Sequence, residues 1–174
     1  EVSLKEIGEG SVADMAILIR EKNLNVKVDI PLKVSKYTGD KKILAIVFQN
    51  LVSNAIKYTP EKGTVKVAVE VYKKGITIGG HELRQDSMIF SVTDTGYGIP
   101  EKEKMHIFTK LYRANNVREM EANGNGLGLY LVKAMVEGSG GTIWFESEEK
   151  KGSSFYVALP AKGMRKKNGT TIFT

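Results

Sequence analysis

The sequence has no cysteine, only four prolines and no long apolar run. Without cysteine the chain can form no disulfide framework, thiolate nucleophile or thiolate zinc site, which suits a reducing compartment. No stretch approaches the roughly 20 apolar residues that cross a bilayer, and no basic segment followed by an apolar core opens the chain. We therefore expect a cytoplasmic domain, with any membrane attachment lying outside this sequence.

The residues that are present fit one ordinary globular domain. Of the 174 residues, 41% are hydrophobic and 26% are charged, which is typical of a chain with a single core. We predict that this domain spans residues 1–162 and that 163–174 form a flexible basic tail without an assigned function. The net charge of +6 is spread over interleaved lysines and glutamates, as in 101–104. The pattern favours a solvated surface over nucleic-acid binding.

Hydrophobic periodicity predicts helices interspersed among mostly antiparallel strands. Ser3 and Glu6 have the spacing of a capping box, which predicts an opening helix, and Asp40 supplies an N-cap for a helix over 41–58. Further elements are predicted as helices over 101–112 and 127–138, strands near 26–30, 65–71, 88–92, 142–147 and 153–159, and a long hairpin tip over 75–86. Strands joined by hairpins favour an α+β fold, a two-layer sandwich, because parallel sheets need a crossover helix between strands. A contact surface for a regulatory partner is the alternative interpretation of the tip.

The helix over 41–58 carries a polar stripe. Asn50, Asn54 and Lys57 are spaced i, i+4 and i+7 and therefore share one edge of the helix. Amide oxygens are suitable ligands for Mg²⁺, which shares its remaining positions with water and phosphates, and a lysine neutralises phosphate charge. A solvated polar face is the competing interpretation.

A second polar group ends a strand that the alternation predicts to be buried. Asp94 is followed by Gly96 and Gly98, which let the backbone turn and approach a ligand closely. An ionised carboxylate accepts a hydrogen bond from the exocyclic amine of adenine, whereas guanine has a carbonyl oxygen at that position. The alternative is a plain Asp-Gly turn before a helix.

The third motif is the glycine cluster Gly124, Gly126 and Gly128, which precedes a predicted helix. Unpaired N–H groups and the helix dipole at such a start suit a polyphosphate. The spacing is not that of the Rossmann motif, and the P-loop motif is absent from the sequence. By itself the cluster is weak support for a nucleotide site.

The order of these motifs carries a resemblance that no single motif does. The sequence has N-x-x-x-N-A-x-K-Y, then D-x-G-x-G-I, then I-F followed by Y-R, then G-x-G-L-G-L. It resembles the catalytic, ATP-binding domain of two-component sensor histidine kinases, a branch of the family with gyrase, Hsp90 and MutL ATPases. The likeness covers almost the whole chain and implies the Bergerat fold, in which helices cover one face of a mixed, mostly antiparallel sheet.

The resemblance also implies roles for the residues at matching positions. Asn54 corresponds to the magnesium ligand, Asn50 to a second amide near the metal and Lys57 to a phosphate neighbour, and these three form the expected catalytic set. Asp94 corresponds to the acceptor for the adenine amine. The other expected nucleotide-binding residues are Tyr58, Gly96, Gly98, Ile99, Tyr112, Arg113, Gly124, Asn125, Gly126, Leu127, Gly128 and Leu129. Residues 114–123 correspond to a mobile ATP lid, and Ile107 and Phe108 to part of the family's phenylalanine box.

What the resemblance implies for function is phosphotransfer from Mg-ATP to a histidine on a separate helical dimerisation segment. Neither His81 nor His106 has the acceptor's sequence context, so we expect this chain to lack the acceptor. Expected partners are ATP and ADP, the dimerisation helices of a full-length homodimer and a response regulator, with the isolated domain monomeric. The alternatives are an anti-sigma-type serine kinase and a nucleotide-sensing scaffold without phosphotransfer.

Overall fold

The computed structural model describes residues 1–112 and 126–164. Four α-helices lie within these ranges: α1 (Leu4–Ala13), α2 (Ala16–Glu21), α3 (Lys41–Tyr58) and α4 (Gly128–Gly138). Short 3₁₀ helices occur at Leu32–Val34 and Glu101–His106. The strands are β1 (Val2–Ser3), β2 (Asn25–Asp29), β3 (Lys36–Tyr37), β4 (Thr64–Tyr72), β5 (Thr77–Ile78), β6 (His81–Glu82), β7 (Ser87–Asp94), β8 (Thr142–Glu148) and β9 (Gly152–Pro160).

The main sheet has five strands in the order β2-β4-β7-β9-β8. Its strand β2 pairs in parallel with β4, and every other pairing in this sheet is antiparallel. Helices α1, α3 and α4 pack on one face, where alternate residues of the strands are buried. The predicted α+β sandwich, with a mixed sheet covered on one face by helices, is therefore confirmed.

Two layers meet in an apolar core that contains the longest helix and the central strands. Phe48 of α3 and Phe90 of β7 stack with ring centroids 3.6 Å apart, and both side chains are buried. Burying each ring removes a large apolar area from water, so this pair fixes α3 across the middle of the sheet. The polar edge of α3 is thereby held in one orientation relative to β7.

The opening helix is capped as the sequence predicts, but it is interrupted. The Ser3 hydroxyl accepts the Glu6 N–H at 3.2 Å, which begins α1. At Met15 the N–H donates to the carbonyl of Val12, three residues back, so the α-helical pattern tightens and restarts as α2. Periodicity cannot detect such a break, because the apolar positions on both sides continue at helical spacing.

The prediction of a helix over 101–112 is wrong. A 3₁₀ helix covers Glu101–His106 and turns follow it, with Leu111 in the left-handed region at φ +63°. Ile107 is buried, and Phe108 packs edge-on against Phe145 with ring centroids 5.9 Å apart. These contacts with the sheet override the local preference for a regular helix.

The outer face of the sheet, opposite the helices, is covered at one end by the hairpin tip. Strands β5 and β6 form a small two-stranded sheet within this tip. The Trp144 indole donates to the carbonyl of Ile78 at 3.0 Å and stacks on His81 and Tyr156. The tip is therefore a packed cover over the open sheet face, and its interior includes Leu83, which is 2% exposed.

The helix predicted over 127–138 begins one residue later, at Gly128. No helix in the two described ranges is long and apolar enough to cross a membrane. The predicted basic tail lies outside the described residues from 165 onward.

Candidate functional site

The candidate site lies along the polar edge of α3. The Asp40 carboxylate accepts the N–H groups of Lys42 and Ile43, which begins this helix. Asn50 and Asn54 are half-buried on the edge that faces away from the core. The predicted stripe is therefore neither a fully solvated face nor part of the core.

Asp94 is the buried carboxylate of the site and is only 8% exposed. Its Oδ1 atom accepts the N–H of Gly96 at 2.8 Å and the N–H of Ser153 at 3.2 Å. Burial raises the pKa of this carboxyl to about 6, although both hydrogen bonds act to lower it. Both recorded hydrogen bonds end on Oδ1, and within the described ranges no donor is recorded on Oδ2. The carboxylate thus keeps acceptor capacity for a ligand.

The turn after Asp94 is pressed against the end of α3. The Tyr97 N–H donates to the carbonyl of Tyr58 at 3.1 Å. A β-carbon at Gly96 would lie 2.5 Å from the same carbonyl oxygen and 2.6 Å from the Asp94 Oδ1 atom. Only glycine fits this approach, so the sequence D-x-G sets the distance between the buried carboxylate and the helix end.

Gly98 and Ile99 anchor the other side of this turn. Gly98 has φ +65°, and a β-carbon there would collide with the carbonyl of Glu148. The Ile99 N–H donates to the Ser147 hydroxyl at 2.8 Å, and that hydroxyl also lies 2.8 Å from the Ser153 hydroxyl. The turn is therefore fixed by strands β8 and β9 as well as by α3.

The start of α4 meets the middle of α3. A β-carbon at Gly128 would lie 2.5 Å from the Asn50 Oδ1 atom. The Asn50 Nδ2 atom donates to the carbonyl of Ile46 at 2.8 Å, so the amide oxygen is the atom directed toward Gly128. The N-terminus of α4 is therefore packed directly against an amide oxygen of α3.

The remaining predicted residues fall into three groups. Leu129 packs against the core, Leu127 is half-buried, and Gly126 has φ +66° close to the backbone of Leu111. Tyr112 is half-buried at the edge of the described chain. Arg113, Gly124 and Asn125 lie outside the described residues, as does the segment 114–123 predicted as a lid.

The structure brings part of the expected site together at two ends. Asp94, Gly96 and Tyr58 meet at one end, and Asn50 and Gly128 meet at the other. Asn50 and Tyr58 are eight residues apart on one helix, or about 12 Å at 1.5 Å per residue. The two ends are therefore separated by about the length of an extended small molecule.

Sequence reasoning missed Ser153 and Ser147. The contribution of Ser153 is a backbone N–H to the buried carboxylate, which leaves no side-chain signature. Gly152, at φ +114°, packs against the carbonyl of Asp94, and its place in a Gly-Ser-Ser run is the one available signal. A separate groove of about 480 Å³ between α1 and α3 borders Asn50 but does not include Asp94.

The comparisons with known proteins point to one family. The sequence matches the family of histidine kinase-, DNA gyrase B- and HSP90-like ATPases over residues 39–163. It is 31% identical over 151 residues to the sensor histidine kinase WalK of Bacillus subtilis, a match that covers 87% of this chain and 23% of that protein. It is 35% identical over 140 residues to the adaptive-response sensory kinase SasA of Synechocystis sp., covering 80% and 33% respectively. The chain thus spans about a quarter to a third of the length of these relatives.

Solved structures give the same result for the fold. The catalytic domain of histidine kinase ThkA in a nucleotide-free form has a TM-score of 0.72 and 26% identity, covering 92% of this chain and 95% of that chain. The mycobacterial sensor histidine kinase MprB has a TM-score of 0.69 and 26% identity, covering 94% and 99%.

The fold is therefore that of the catalytic domains of histidine kinases. The chain belongs to the family of histidine kinase-, DNA gyrase B- and HSP90-like ATPases.

Proposed function

We propose that this domain binds Mg-ATP and transfers the γ-phosphate to a histidine on a helical segment outside this chain, in two-component signalling. The observation that carries the proposal is the buried Asp94 carboxylate, which has acceptor capacity left beside Gly96 and the end of α3. In this role the Asp94 carboxylate accepts a hydrogen bond from the exocyclic amine of adenine. Tyr58, Gly96, Gly98 and Ile99 form the surrounding wall.

The other end of the site holds the phosphates and the metal. Asn54 is the proposed magnesium ligand, and Asn50 is a second amide whose oxygen faces the N-terminus of α4. Neutral amide oxygens fit Mg²⁺, which retains several waters and binds phosphate oxygens. When bound, the metal neutralises charge on the phosphates. Lys57 adds a positive charge on the same edge, and the N–H groups at Gly126, Leu127 and Gly128 are the proposed phosphate donors.

Catalysis in this arrangement is positioning and charge neutralisation. The attacking imidazole nitrogen forms a bond to the γ-phosphorus while the bond from that phosphorus to the β–γ bridging oxygen breaks, and ADP leaves. The domain would hold the γ-phosphate so that an acceptor nitrogen from outside this chain lies in line with the bond that breaks. Arg113, Tyr112 and the segment 114–123 complete the phosphate side in this proposal, together with Gly124, Asn125 and Leu129.

The two histidines of the chain are poor candidates for the acceptor. His81 stacks on Trp144, with ring centroids 4.5 Å apart, on the sheet face opposite the site. His106 is the last residue of the 3₁₀ helix Glu101–His106, and its ring lies beside that of Tyr112, with centroids 5.4 Å apart. An acceptor supplied by dimerisation helices of a homodimer, with a response regulator downstream, is therefore part of the proposal. The same proposal places the domain in the cytoplasm and makes the isolated domain monomeric.

Calorimetric titration with ATP, with and without Mg²⁺, tests the metal and phosphate end. The wild type is expected to bind ATP more tightly with Mg²⁺, and Asn54→Ala is expected to lose at least about tenfold of that magnesium-dependent gain, because one ligand is removed. Gln49→Ala, a neighbouring amide on the same helix, is the matched control and should keep it.

Phosphotransfer is tested separately with labelled ATP and an added histidine-containing dimerisation domain. Acid-labile label on that domain supports histidine transfer. Acid-stable label on a protein serine would favour the anti-sigma-type kinase. Binding of ATP with no transfer to several acceptor domains would favour the nucleotide-sensing scaffold.

A further inference from the structure

The four carbonyls at the C-terminal end of α3, which carries Lys57 and Tyr58, all accept hydrogen bonds from groups outside the helix. An α-helix leaves its last four carbonyls without partners in the helix, and these must be satisfied by other groups or by water. The four carbonyls here belong to Ala55, Ile56, Lys57 and Tyr58. Each of them accepts a hydrogen bond from a specific donor beyond the helix.

The first and the last of these carbonyls have local or turn donors. The Thr59 hydroxyl, which is fully buried, donates to the carbonyl of Ala55 at 2.6 Å. The Tyr97 N–H donates to the carbonyl of Tyr58 at 3.1 Å. The second bond joins the helix end directly to the turn that follows Asp94.

The middle two carbonyls are satisfied by one lysine from a distant part of the chain. The Nζ atom of Lys22 donates to the carbonyl of Ile56 at 3.0 Å and to that of Lys57 at 2.7 Å. Lys22 follows α2 directly, and its own carbonyl accepts the N–H of Lys62 at 2.8 Å. A positive charge at a helix C-terminus also complements the helix dipole, and bonds to a charged donor are stronger than neutral ones.

We propose that Lys22 is a positioning residue for the nucleotide site. It holds the Ile56 and Lys57 carbonyls at the end of α3, so that the neighbouring Tyr58 carbonyl stays in place to receive the Tyr97 N–H. Gly96 approaches the same carbonyl closely, which means that any shift of the helix end changes the wall around the buried carboxylate. Lys22 therefore links the segment after α2 to the adenine end of the site. The effect on ATP depends on the proposed function, whereas the hold of Lys22 on the helix end does not.

The test compares Lys22→Met, which keeps the chain length but has no charge or donor, with Lys22→Arg, which can still donate to two carbonyls. At a temperature where all variants are folded, Lys22→Met is expected to bind ATP about tenfold more weakly, since the loss of both charged hydrogen bonds loosens the helix end. Lys22→Arg is expected to bind within about twofold of the wild type. Lys66→Met, which removes a lysine paired with Asp29 on the outer face at 3.8 Å, is the matched control and should bind ATP normally.

A second readout separates positioning from general destabilisation. Hydrogen exchange at the Tyr97 amide should become about tenfold faster in Lys22→Met relative to the Val157 amide of the central strand β9. Lys22→Arg should restore the ratio. The proposal fails if Lys22→Met binds ATP like the wild type, if Lys22→Arg gives no rescue, or if Tyr97 and Val157 change in parallel. If the wild type binds no ATP, the proposed function fails, and the exchange ratio still decides whether Lys22 holds the helix end.

Discussion

Two glycine-containing turns lie on opposite faces of the same sheet, and we propose a binding role for only one of them. The turn after Asp94 lies on the helix side, and the hairpin tip around Gly79 lies on the outer side. Both contain a glycine whose β-carbon would meet a neighbour at about the same distance, 2.5 Å from the Tyr58 carbonyl oxygen for Gly96 and 2.6 Å from the Tyr156 ring for Gly79. Close backbone approach therefore does not distinguish a binding site from a packed cover.

The two regions differ in the hydrogen-bonding capacity that their polar groups have left. At the tip, the indole N–H of Trp144 in β8 donates to the Ile78 carbonyl. The Asp86 carboxylate accepts hydrogen bonds from Lys73 Nζ and from the Lys74 N–H. In the site, a carboxylate that is 8% exposed keeps one oxygen without a recorded donor in the described chain. A buried polar group with remaining capacity indicates a ligand, whereas a satisfied one indicates structure.

The largest expected difference between the two regions comes from alanine at each glycine. Gly96→Ala should weaken ATP binding at least about 100-fold and destabilise the domain by about 2–4 kcal/mol, because backbone at the helix end must move. Gly79→Ala, at φ +54°, should destabilise by about 1–3 kcal/mol and leave ATP affinity within about twofold. Urea unfolding and calorimetry measure the two effects. Equal losses of affinity in both variants would contradict the distinction.

Trp144 tests whether the tip is a packed cover. Trp144→Ala should lower the free energy of unfolding by about 2–3 kcal/mol, since it removes the stacking on Tyr156 and His81. Trp144→Phe should cost about 1 kcal/mol through the lost bond to the Ile78 carbonyl. Unfolding followed by circular dichroism gives both values. A loss of ATP affinity in either variant would mean that the outer face contributes to the site.

The buried carboxylate predicts opposite pH dependences for binding and for stability. Its pKa is raised to about 6, above the ordinary value near 4, so the folded state holds its proton more strongly between pH 4 and 6. ATP affinity should fall about tenfold from pH 7.5 to pH 5, because protonation removes the negative charge that accepts the hydrogen bond from the adenine amine. The contribution of Asp94 to the free energy of unfolding should rise by about 2–3 kcal/mol as the pH falls through this window.

Asp94→Asn is the reference for both pH profiles, since it removes the titrating group. Any excess of its unfolding free energy over that of the wild type should shrink below pH 6, because the wild type gains stability as Asp94 is protonated. A wild-type ATP affinity that stays constant from pH 7.5 to pH 5 would contradict the assignment of the acceptor.

The smallest expected effect comes from a glycine that neither region uses. A β-carbon at Gly10 of α1 meets nothing within 4 Å, so Gly10→Ala should stabilise the domain by about 0.5–1 kcal/mol through helix propensity alone. Gly8→Ala, in the same helix, would place a β-carbon 2.7 Å from the Ile30 side chain and should destabilise it. Thermal unfolding distinguishes the two, and the same sign for both would contradict this view of α1.

The parts of the fold that were predictable are those with local signals. The helix over 41–58 was predicted with its observed bounds because Asp40 caps its start and a proline follows its end. The 3₁₀ helix before Ile107 was mistaken for a longer helix, since its end is decided by packing against the sheet. The parallel pairing of β2 with β4 likewise has no signature in the periodicity of either strand.

The candidate site was predictable where side chains carry the chemistry. Asn50, Asp94 and Gly128 were named from sequence. In the structure Asp94 lies at one end of the candidate site, and Asn50 and Gly128 are in contact at the other. Ser153 was missed because its role is that of a backbone N–H, and Lys22 because it contacts a helix end 34 residues further along the chain. The roles of all these residues in binding remain predictions.

The measurement that tests the account most directly is the titration of wild type and Asp94→Asn with ATP and with GTP in the presence of Mg²⁺. The wild type should prefer ATP, and Asp94→Asn should lose about 10- to 100-fold of ATP affinity while folding at least as stably at pH 8, because a buried charge is removed. A folded wild type that binds ATP and GTP equally, or an Asp94→Asn variant that retains full ATP affinity, would contradict the claim that the buried carboxylate selects adenine.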